Sequence, residues 1–400
     1  MIEAREYRPE DGPGYVAVHN TVWGGDLAID VPYWEQWAKG PRTAAIAVDG
    51  DEVVGAIPFD FRDFIIRPGL VIRAAFEYSV VVHEKVRSTG IGSKLMDAAK
   101  EFLVPQADVM MVYRGAERSA GYRFYAKNGH HDMVFYRGLS WTNPQGTIGD
   151  GVRFCDRGEL LRRETELLQV FASAYGCYGG YPQRVPGYHA TALEGIQYEE
   201  LKSDFYFLLV EDGEGLAGYA LLAKWAKGDS LQIAEMATRG GDQALAHTIF
   251  MAAATKAAEI GTGLAFSGPD DGLYAGLARS LGFVGKLRAE ISMFIMAHLL
   301  NPPDLAQKSL RQVPELANTR IEVFTPQADY VLQAPAHPNK TVTLEMKEDH
   351  LTRLLLCRLD LGAAIQDHRV TAYGADDGDV AGLARAFPCQ QWEHHPVDYI

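Results

Sequence analysis

The stretch from Glu77 to Leu103, EYSVVVHEKVRSTGIGSKLMDAAKEFL, constrains the fold more than any other. The run Val80-Val81-Val82 is apolar and β-branched, which predicts a buried strand. After a short polar turn comes Arg87-Ser88-Thr89-Gly90-Ile91-Gly92. Beyond it Leu95, Met96, Ala99 and Phe102 recur at helical spacing, with Lys94, Asp97, Lys100 and Glu101 between them. The order is strand, glycine loop, helix. Two glycines let the backbone turn sharply and leave no side chain between main chain and ligand. The free N–H groups and the dipole of a helix start favour an anion, and Arg87 adds a fixed positive charge. The pattern therefore predicts a pyrophosphate site. No Gly-Lys-Ser/Thr follows, so it is not a Walker loop, and two glycines are too few for the dinucleotide fingerprint. By spacing alone, an ordinary strand–helix turn fits the six residues equally well.

Length and charge narrow the setting. A chain of 400 residues exceeds one ordinary domain. Its net charge of -14 argues against nucleic acid as a partner and is compatible with a cationic substrate. Cys155, Cys177, Cys357 and Cys389 lie far apart with no C-x-x-C, which points to reduced, structural thiols rather than a disulfide framework or a zinc site. No apolar run approaches the roughly 20 residues that span a bilayer, and Met1-Ile2-Glu3-Ala4-Arg5 lacks the apolar core of a signal. The expected location is cytoplasmic, with no membrane partner and no metal.

Taken in order, residues 2–7 predict a first strand, and Tyr15, Val16, Val18 and Val22 a helix. Residues 43–49 and 52–59 form a strand pair around Gly50-Asp51, a hairpin dipeptide, and residues 70–76 a further strand. Residues 107–113 (ADVMMVY) are strand-like. Ser119 to His130 starts on small residues and ends in Phe124-Tyr125-Ala126-Lys127-Asn128-Gly129, and residues 133–139 are expected to close the unit. Thr142 to Gly146 is a linker. From about Gly151 the pattern repeats: a helix over 159–175, a hairpin pair at 205–210 and 215–223, a strand at 230–236, a long Ala-rich helix over 243–260, and a helix-to-strand close at Ser280 to Val284. In the repeat, Thr238-Arg239-Gly240-Gly241-Asp242 replaces the glycine loop, and Asp242 would repel a phosphate. After Asn301-Pro302-Pro303-Asp304 the character changes, with an alternating strand at 341–346 and a helix starting at His350.

R-x-x-G-x-G between strand and helix resembles the acyl-CoA loop of the GNAT superfamily of N-acetyltransferases, and the F-Y-x-x-x-G turn is a second feature of that superfamily. Two such units followed by a small α+β tail resemble the enhanced-intracellular-survival (Eis) acetyltransferases, over nearly the whole chain. The tail itself resembles a sterol-carrier-protein fold. The resemblance implies an α+β fold with mixed sheets in three domains. Residues 1–146 would be a GNAT domain that binds acetyl-CoA, 147–302 a GNAT-like domain with a degenerate loop, and 303–400 the carrier-like domain.

The same resemblance implies the chemistry. Acetyl-CoA as co-substrate would lie along Val80, Val82, Arg87, Ser88, Thr89, Gly90, Ile91 and Gly92. Tyr125 would be the general acid that protonates the departing thiolate, and the terminal carboxylate, here on Ile400, the general base. An α-carboxylate is ionised at neutral pH. The acceptor would be a primary amine of a polycationic small molecule such as an aminoglycoside, with Asp26, Asp30 and Glu35 as pocket acids and Trp34 and Trp37 as aromatic walls. A protein lysine or a secondary-metabolite amine is the alternative acceptor, and a lipid-binding scaffold the alternative class. Family members form hexamers, so a homo-oligomer is expected. The chain departs from the family in ending Tyr399-Ile400 rather than on an aromatic residue, and in carrying His83 to Val86 where a proline is common.

Overall fold

The computed structural model describes residues 2–25, 28–114, 120–194, 203–225, 228–285 and 294–399. It is a mixed α+β structure. The first unit runs β1 (Glu3–Glu6), α1 (Gly12–Trp23), α2 (Val31–Ala38), β2 (Arg42–Asp49), β3 (Glu52–Arg67), β4 (Leu70–Glu77), β5 (Val81–Val82), α3 (Ile91–Leu103), β6 (Val109–Arg114), α4 (Ala120–Lys127) and β7 (His131–Trp141). The second runs β8 (Val152–Cys155), α5 (Arg157–Arg162), α6 (Glu164–Tyr175), β9 (Tyr181–Pro182), α7 (Tyr188–Glu194), β10 (Ser203–Asp212), β11 (Gly215–Trp225), β12 (Ser230–Thr238), α8 (Gln243–Glu259), β13 (Gly263–Pro269), α9 (Ala275–Ser280), β14 (Val284–Gly285) and β15 (Phe294–Leu299). The third adds α10 (Pro302–Leu310), β16 (Thr319–Phe324), β17 (Asp329–Gln333), β18 (Lys340–Met346), α11 (Glu348–Leu355), α12 (Leu361–Gln366), β19 (Val370–Tyr373), α13 (Asp377–Ala386) and a terminal turn, Pro396–Tyr399.

The hairpin dipeptide behaves as its chemistry demands. Asp49 pairs with Glu52 across Gly50-Asp51, and Gly50 takes the left-handed φ of 63° that such a two-residue turn needs. Further along, the two units share one sheet, in the order β1-β2-β3-β4-β6-β15-β7-β13-β12-β11-β10-β8. Here the structure corrects the expectation that residues 133–139 close the first unit. β15, from the far end of the second unit, sits between β6 and β7 and pairs with β6 from Phe294–Arg114 to Leu299–Val109. β7 in turn runs on past β15 to pair with β13 of the second unit, from Pro269–Tyr136 to Leu264–Trp141. The units have exchanged closing strands. The reason lies in β15 itself: Ile295, Ala297 and Leu299 are buried on one face and Met296 on the other. A strand apolar on both faces is stable only inside a sheet covered on both sides.

β4 shows what covers those faces. Leu70, Ile72, Ala74 and Phe76 point to one side, where they join the core of the third unit, including Leu305, Leu351, Leu354 and Leu355. Ala75 points to the other, toward Ile91, Leu95, Met96 and Ala99 of α3 and Tyr125 of α4. The third unit carries its own sheet, β17-β16-β18-β19. So the first unit's sheet is sandwiched between its own helices and the third unit. Truncating Ile295, which is 0% exposed, should lower stability by about 2–5 kcal/mol in an Ile295→Ala variant. Thermal unfolding followed by circular dichroism should remain a single transition covering both units. Two separated transitions would mean that strand exchange does not couple them.

Candidate active site

The site begins where two parallel strands part. β4 and β6 pair from Ala74–Val109 to Glu77–Val112 and no further. Tyr78 N–H donates to Pro58 O at 3.0 Å, and then Ser79, at φ 35°, breaks the strand and shifts its phase. When pairing resumes, β5 bonds only to β3, Val81 opposite Ala56 and Val82 opposite Gly55, and His83 N–H donates to Val54 O at 2.8 Å. Peptide groups alternate along a strand. Those of Val81 and His83 therefore face β3, and those of Val80 and Val82 face the gap. The expected buried strand over Val80 to Val82 is thus shorter than the sequence suggests: only Val81 is buried, because its neighbours line an opening. That opening is a cleft of about 1000 Å³ lined by His19, Trp23, Glu77 to Val80, Val82, Arg87, Ser88, Gly90 to Ser93, Val112, Tyr113, Gly121, Phe124, Tyr125 and Lys127, among others.

The glycine loop forms one wall. Ser88 and Gly90 have φ of 66° and 91°, so the chain turns twice through left-handed backbone before α3. Gly90 caps α3 without any side-chain hydrogen bond to the first amides, so the helix start faces the cleft bare. Arg87 hangs over the loop and donates to Val82 O at 3.3 Å, while Thr89 Oγ1 fastens the turn to Val86 O at 2.7 Å. A Cβ on Gly92 would lie 2.8 Å from Phe124 Cε2, so glycine is needed for α3 and α4 to meet here. Bare amides, a cation and a close helix pair fit a pyrophosphate.

Tyr125 sits on α4, 8% exposed, at the same cleft. Burial, and then the nearby Glu77 carboxylate, push its phenol well above the usual value of 10, so it keeps its proton at neutral pH. Glu77 itself is fully buried on the α3–α4 face, and its Oε1 is 2.7 Å from His130 Nε2. Its second oxygen, Oε2, makes no hydrogen bond to the protein. The His130 ring packs edge-on to Tyr125 at 5.5 Å. Sequence reasoning missed the Glu77–His130 pair, because the two residues are joined only when β4 and β7 come under the same helices.

The opposite face of the cleft is built differently. Tyr78 and Tyr113 alternate away from α3 and α4, and both hydroxyls are held from below. The Tyr78 hydroxyl accepts from Arg62, which is anchored on Asp60 at 2.9 Å. The Tyr113 hydroxyl is 2.6 Å from His394 Nε2, in the last residues of the chain. Those residues lie in a seam between all three units. Glu393 N–H donates to Gly179 O at 2.7 Å, and Trp392 Nε1 to Ile66 O at 3.2 Å. Gly179 and Gly180 are required here: a Cβ would stand 2.1 Å from Ile66 O or 2.3 Å from Trp392 Cβ. Sequence reasoning passed over Tyr113, Arg62 and His394, although the His394-His395 pair beside Trp392 was the available signal.

The structure brings Val80, Val82, Arg87, Ser88, Gly90, Ile91, Gly92 and Tyr125 to one cleft, with Thr89 on its loop. It does not bring Asp30 or Glu35 there. Asp30 caps α2 by accepting from Tyr33 N–H at 2.8 Å, and Glu35 is exposed on that helix. Trp34 is buried between Tyr15, at 3.8 Å, and Trp37, at 4.5 Å, while Trp37 carries the Arg42 guanidinium at 5.0 Å. These aromatics hold the α1–α2 pair together. Asp26 and Ile400 lie outside the described residues.

The second unit repeats the parting of strands and fills it. β12 and β13 pair from Ser230–Gly263 to Ile233–Phe266 and then separate. Tyr175 donates to Met236 O at 2.7 Å, and Tyr274 accepts from Thr238 N–H at 3.0 Å, so two buried phenols occupy the gap. The start of α8 is closed by Asp242, which accepts from Ala244 and Leu245 N–H, and Arg239 is neutralised by Asp212 at 2.9 Å and Glu214 at 3.2 Å. Two of the first amides of α8 and the neighbouring cation are therefore already engaged.

Residues 14–130, which carry the parted strands, the bare helix start and the tyrosine, match the acetyltransferase (GNAT) family, and the chain is an acetyl-transferring enzyme. That family uses acetyl-CoA. The whole chain superposes on three solved proteins. One is a probable N-acyltransferase from Enterococcus faecalis V583, with 11% identity, TM-score 0.71 and 99% of each chain covered. The second is a GCN5-related N-acetyltransferase from Kribbella flavida, with 17% identity, TM-score 0.67 and 100% of this chain and 98% of that one covered. The third is Eis1 from Mycobacterium abscessus, with 12% identity, TM-score 0.59 and 98% of each chain covered. At these identities the likeness is one of fold. No curated protein sequence matches the chain. Among the described residues no helix is long and apolar enough to cross a membrane.

Because Phe124 closes on Gly92, a Gly92→Ala variant should weaken acetyl-CoA binding about tenfold, some 1.4 kcal/mol, with little change in melting temperature. Titration calorimetry reads this directly. Unchanged affinity would place the pyrophosphate elsewhere.

Proposed function

We propose that the enzyme transfers the acetyl group of acetyl-CoA to a primary amine of a small molecule, with aminoglycosides as the first acceptors to try. The observation that carries this is the cleft, in which the outward peptide groups of Val80 and Val82, the Arg87–Gly92 wall and Tyr125 face one volume of about 1000 Å³.

Acetyl-CoA supplies the activated thioester. The Arg87 guanidinium and the bare start of α3 hold its phosphates. The Val80 peptide group and the Val82 N–H stand where sheet partners are missing, Val82 O being taken by Arg87, so they can hydrogen-bond the pantetheine arm, and an N–H there polarises the carbonyl as preorganised donors do in other acyl transfers. The amine gives up a proton and attacks that carbonyl; the C–S bond breaks, and Tyr125 protonates the sulfur. For the amine's proton we propose the Ile400 carboxylate. What supports this is the fixing of Asp398, two residues before it, against the Arg62 that holds Tyr78 of the cleft.

A second acceptor reading has an observation of its own. Among the described lining residues Glu77 is the one carboxylate, and it is already bonded to His130. A polycation gains little there, whereas the aromatic faces of Trp23, Tyr78 and Tyr113 suit an amine with a single charge. A lipid-carrying role for the third unit has less support, since Ile321, Val323, Val342, Leu351, Leu354 and Leu355 fill its interior at 0% exposure.

The test is thiol release from acetyl-CoA with aminoglycosides, arylalkyl monoamines and lysine peptides in parallel. Release with one group assigns the acceptor. Binding of acetyl-CoA with no release from any would remove the amine acceptor from the proposal. In a Tyr125→Phe variant turnover should fall about 10²–10⁴-fold, the range for a lost general acid, with acetyl-CoA affinity retained. Undiminished turnover would take Tyr125 out of the mechanism.

A further inference from the structure

The most heavily built polar cluster among the described residues lies outside the cleft, where the terminal turn of the third unit meets the second unit. Its node is Asp398, 0% exposed in the terminal turn. One carboxylate oxygen accepts from the Tyr188 hydroxyl and from Arg184 Nη1. The other accepts from His395 N–H at 3.0 Å. Arg184, in the connection between β9 and α7, also donates to Glu235 Oε2 at 2.7 Å, and its guanidinium lies 3.8 Å from the Tyr188 ring centre and 4.5 Å from that of Phe171. Glu235, on β12, is completed by the Tyr219 hydroxyl at 2.7 Å and His189 Nε2 at 3.1 Å. An arginine shared between two buried carboxylates, with their remaining lone pairs filled, has little freedom to move.

The second half of the arrangement belongs to the first unit. The backbone carbonyl of the same Asp398 accepts from Arg62 Nη1 at 2.5 Å, and Arg62 Nη2 donates to the Tyr78 hydroxyl in the cleft. One residue is thus gripped by its side chain from one unit and by its main chain from the other. We propose that Arg184 and Tyr188 are positioning residues for the first unit's cleft: through Asp398 and Arg62 they set the place of Tyr78 and of the acceptor-side wall. On this reading the second unit, whose own gap is filled, works as a clamp on the chain end.

The filled gap and the clamp are parts of one device. Glu235 stands on β12 between Ile233, the last residue paired with β13, and Met236, whose carbonyl takes the Tyr175 hydroxyl. The strand segment that borders the active cleft in the first unit is, in the second, given over to seating the terminus. A merely structural network would stabilise the second unit and stop there. A positioning network must also alter the first unit on the far side of Asp398.

The test uses the full-length protein and two mild variants, Tyr188→Phe and Asp398→Asn, with amide hydrogen exchange read by mass spectrometry. Faster exchange is expected at residues 395–399 and also at Tyr78 to Val82, which no mutated side chain touches. Faster exchange confined to α7 and the terminal turn would overturn the proposal. So would no change at all in both variants. This arm does not depend on the acetyl-transfer reading. The kinetic arm rests on that reading: with an amine that the wild-type enzyme accepts, Asp398→Asn should lower kcat/KM for the amine about tenfold and leave KM for acetyl-CoA within about twofold. An equal loss on both substrates would show a global defect and count against positioning. If the wild-type enzyme turns over no amine, the acetyl-transfer reading fails alone, and exchange still decides the clamp.

Discussion

Everything about the site follows from the place where β4 and β6 stop pairing. Two strands that part at Glu77 and Val112 leave unpaired peptide groups in a protein interior, which is costly unless a partner fills the gap. In the first unit the gap stays open as a cleft, and the outward groups of Val80 and Val82 are offered to a ligand. In the second unit the corresponding gap is closed by the Tyr175 and Tyr274 hydroxyls. The same backbone device is left open in one copy and packed in the other. Which it is depends on a few side chains.

Strand exchange explains why the pair behaves as one body. β15 lies between β6 and β7, and β6 carries Val112 and Tyr113 into the cleft. The wall of the first unit's site therefore leans on a strand made more than a hundred residues later. The third unit, packed on the apolar face of β4, closes the same wall from below and sends its last residues back between the units. Its Trp392 fits against Gly180, where only glycine leaves room. The result is a cleft whose two faces have different origins: Glu77, His130 and Tyr125 under α3 and α4 on one side, Tyr78 and Tyr113 over the terminal segment on the other.

Much of this was legible in the chain. Short-range signals held where local geometry decides them. Gly50-Asp51 made its hairpin, Gly90 made the turn into the helix, and the periodicity of Leu95, Met96, Ala99 and Phe102 made the helix that the loop feeds. Tyr125 fell at the cleft because the F-Y-x-x-x-G turn fixes it relative to α4. The misplaced residues share a cause. Asp30, Trp34, Glu35 and Trp37 are of the types that bind cations, but residue type does not say which way a helix faces. Trp34 turned inward onto Tyr15, and Asp30 spent its oxygen on a helix cap.

Local chemistry is enough for the short pieces: a strand, a glycine turn, an amphipathic helix, and a repeat in which Asp242 takes the helix start in place of the glycine loop. Each of these rests on interactions within a few residues, so the chain encodes them directly. Long-range packing settles the rest: the units trade closing strands, Glu77 meets His130, and Asp398 is held by Arg184 from one side and Arg62 from the other. These pairings join residues tens to hundreds of positions apart. They exist because buried polar groups must find partners wherever the packed sheets bring them together, and no spacing along the chain announces them.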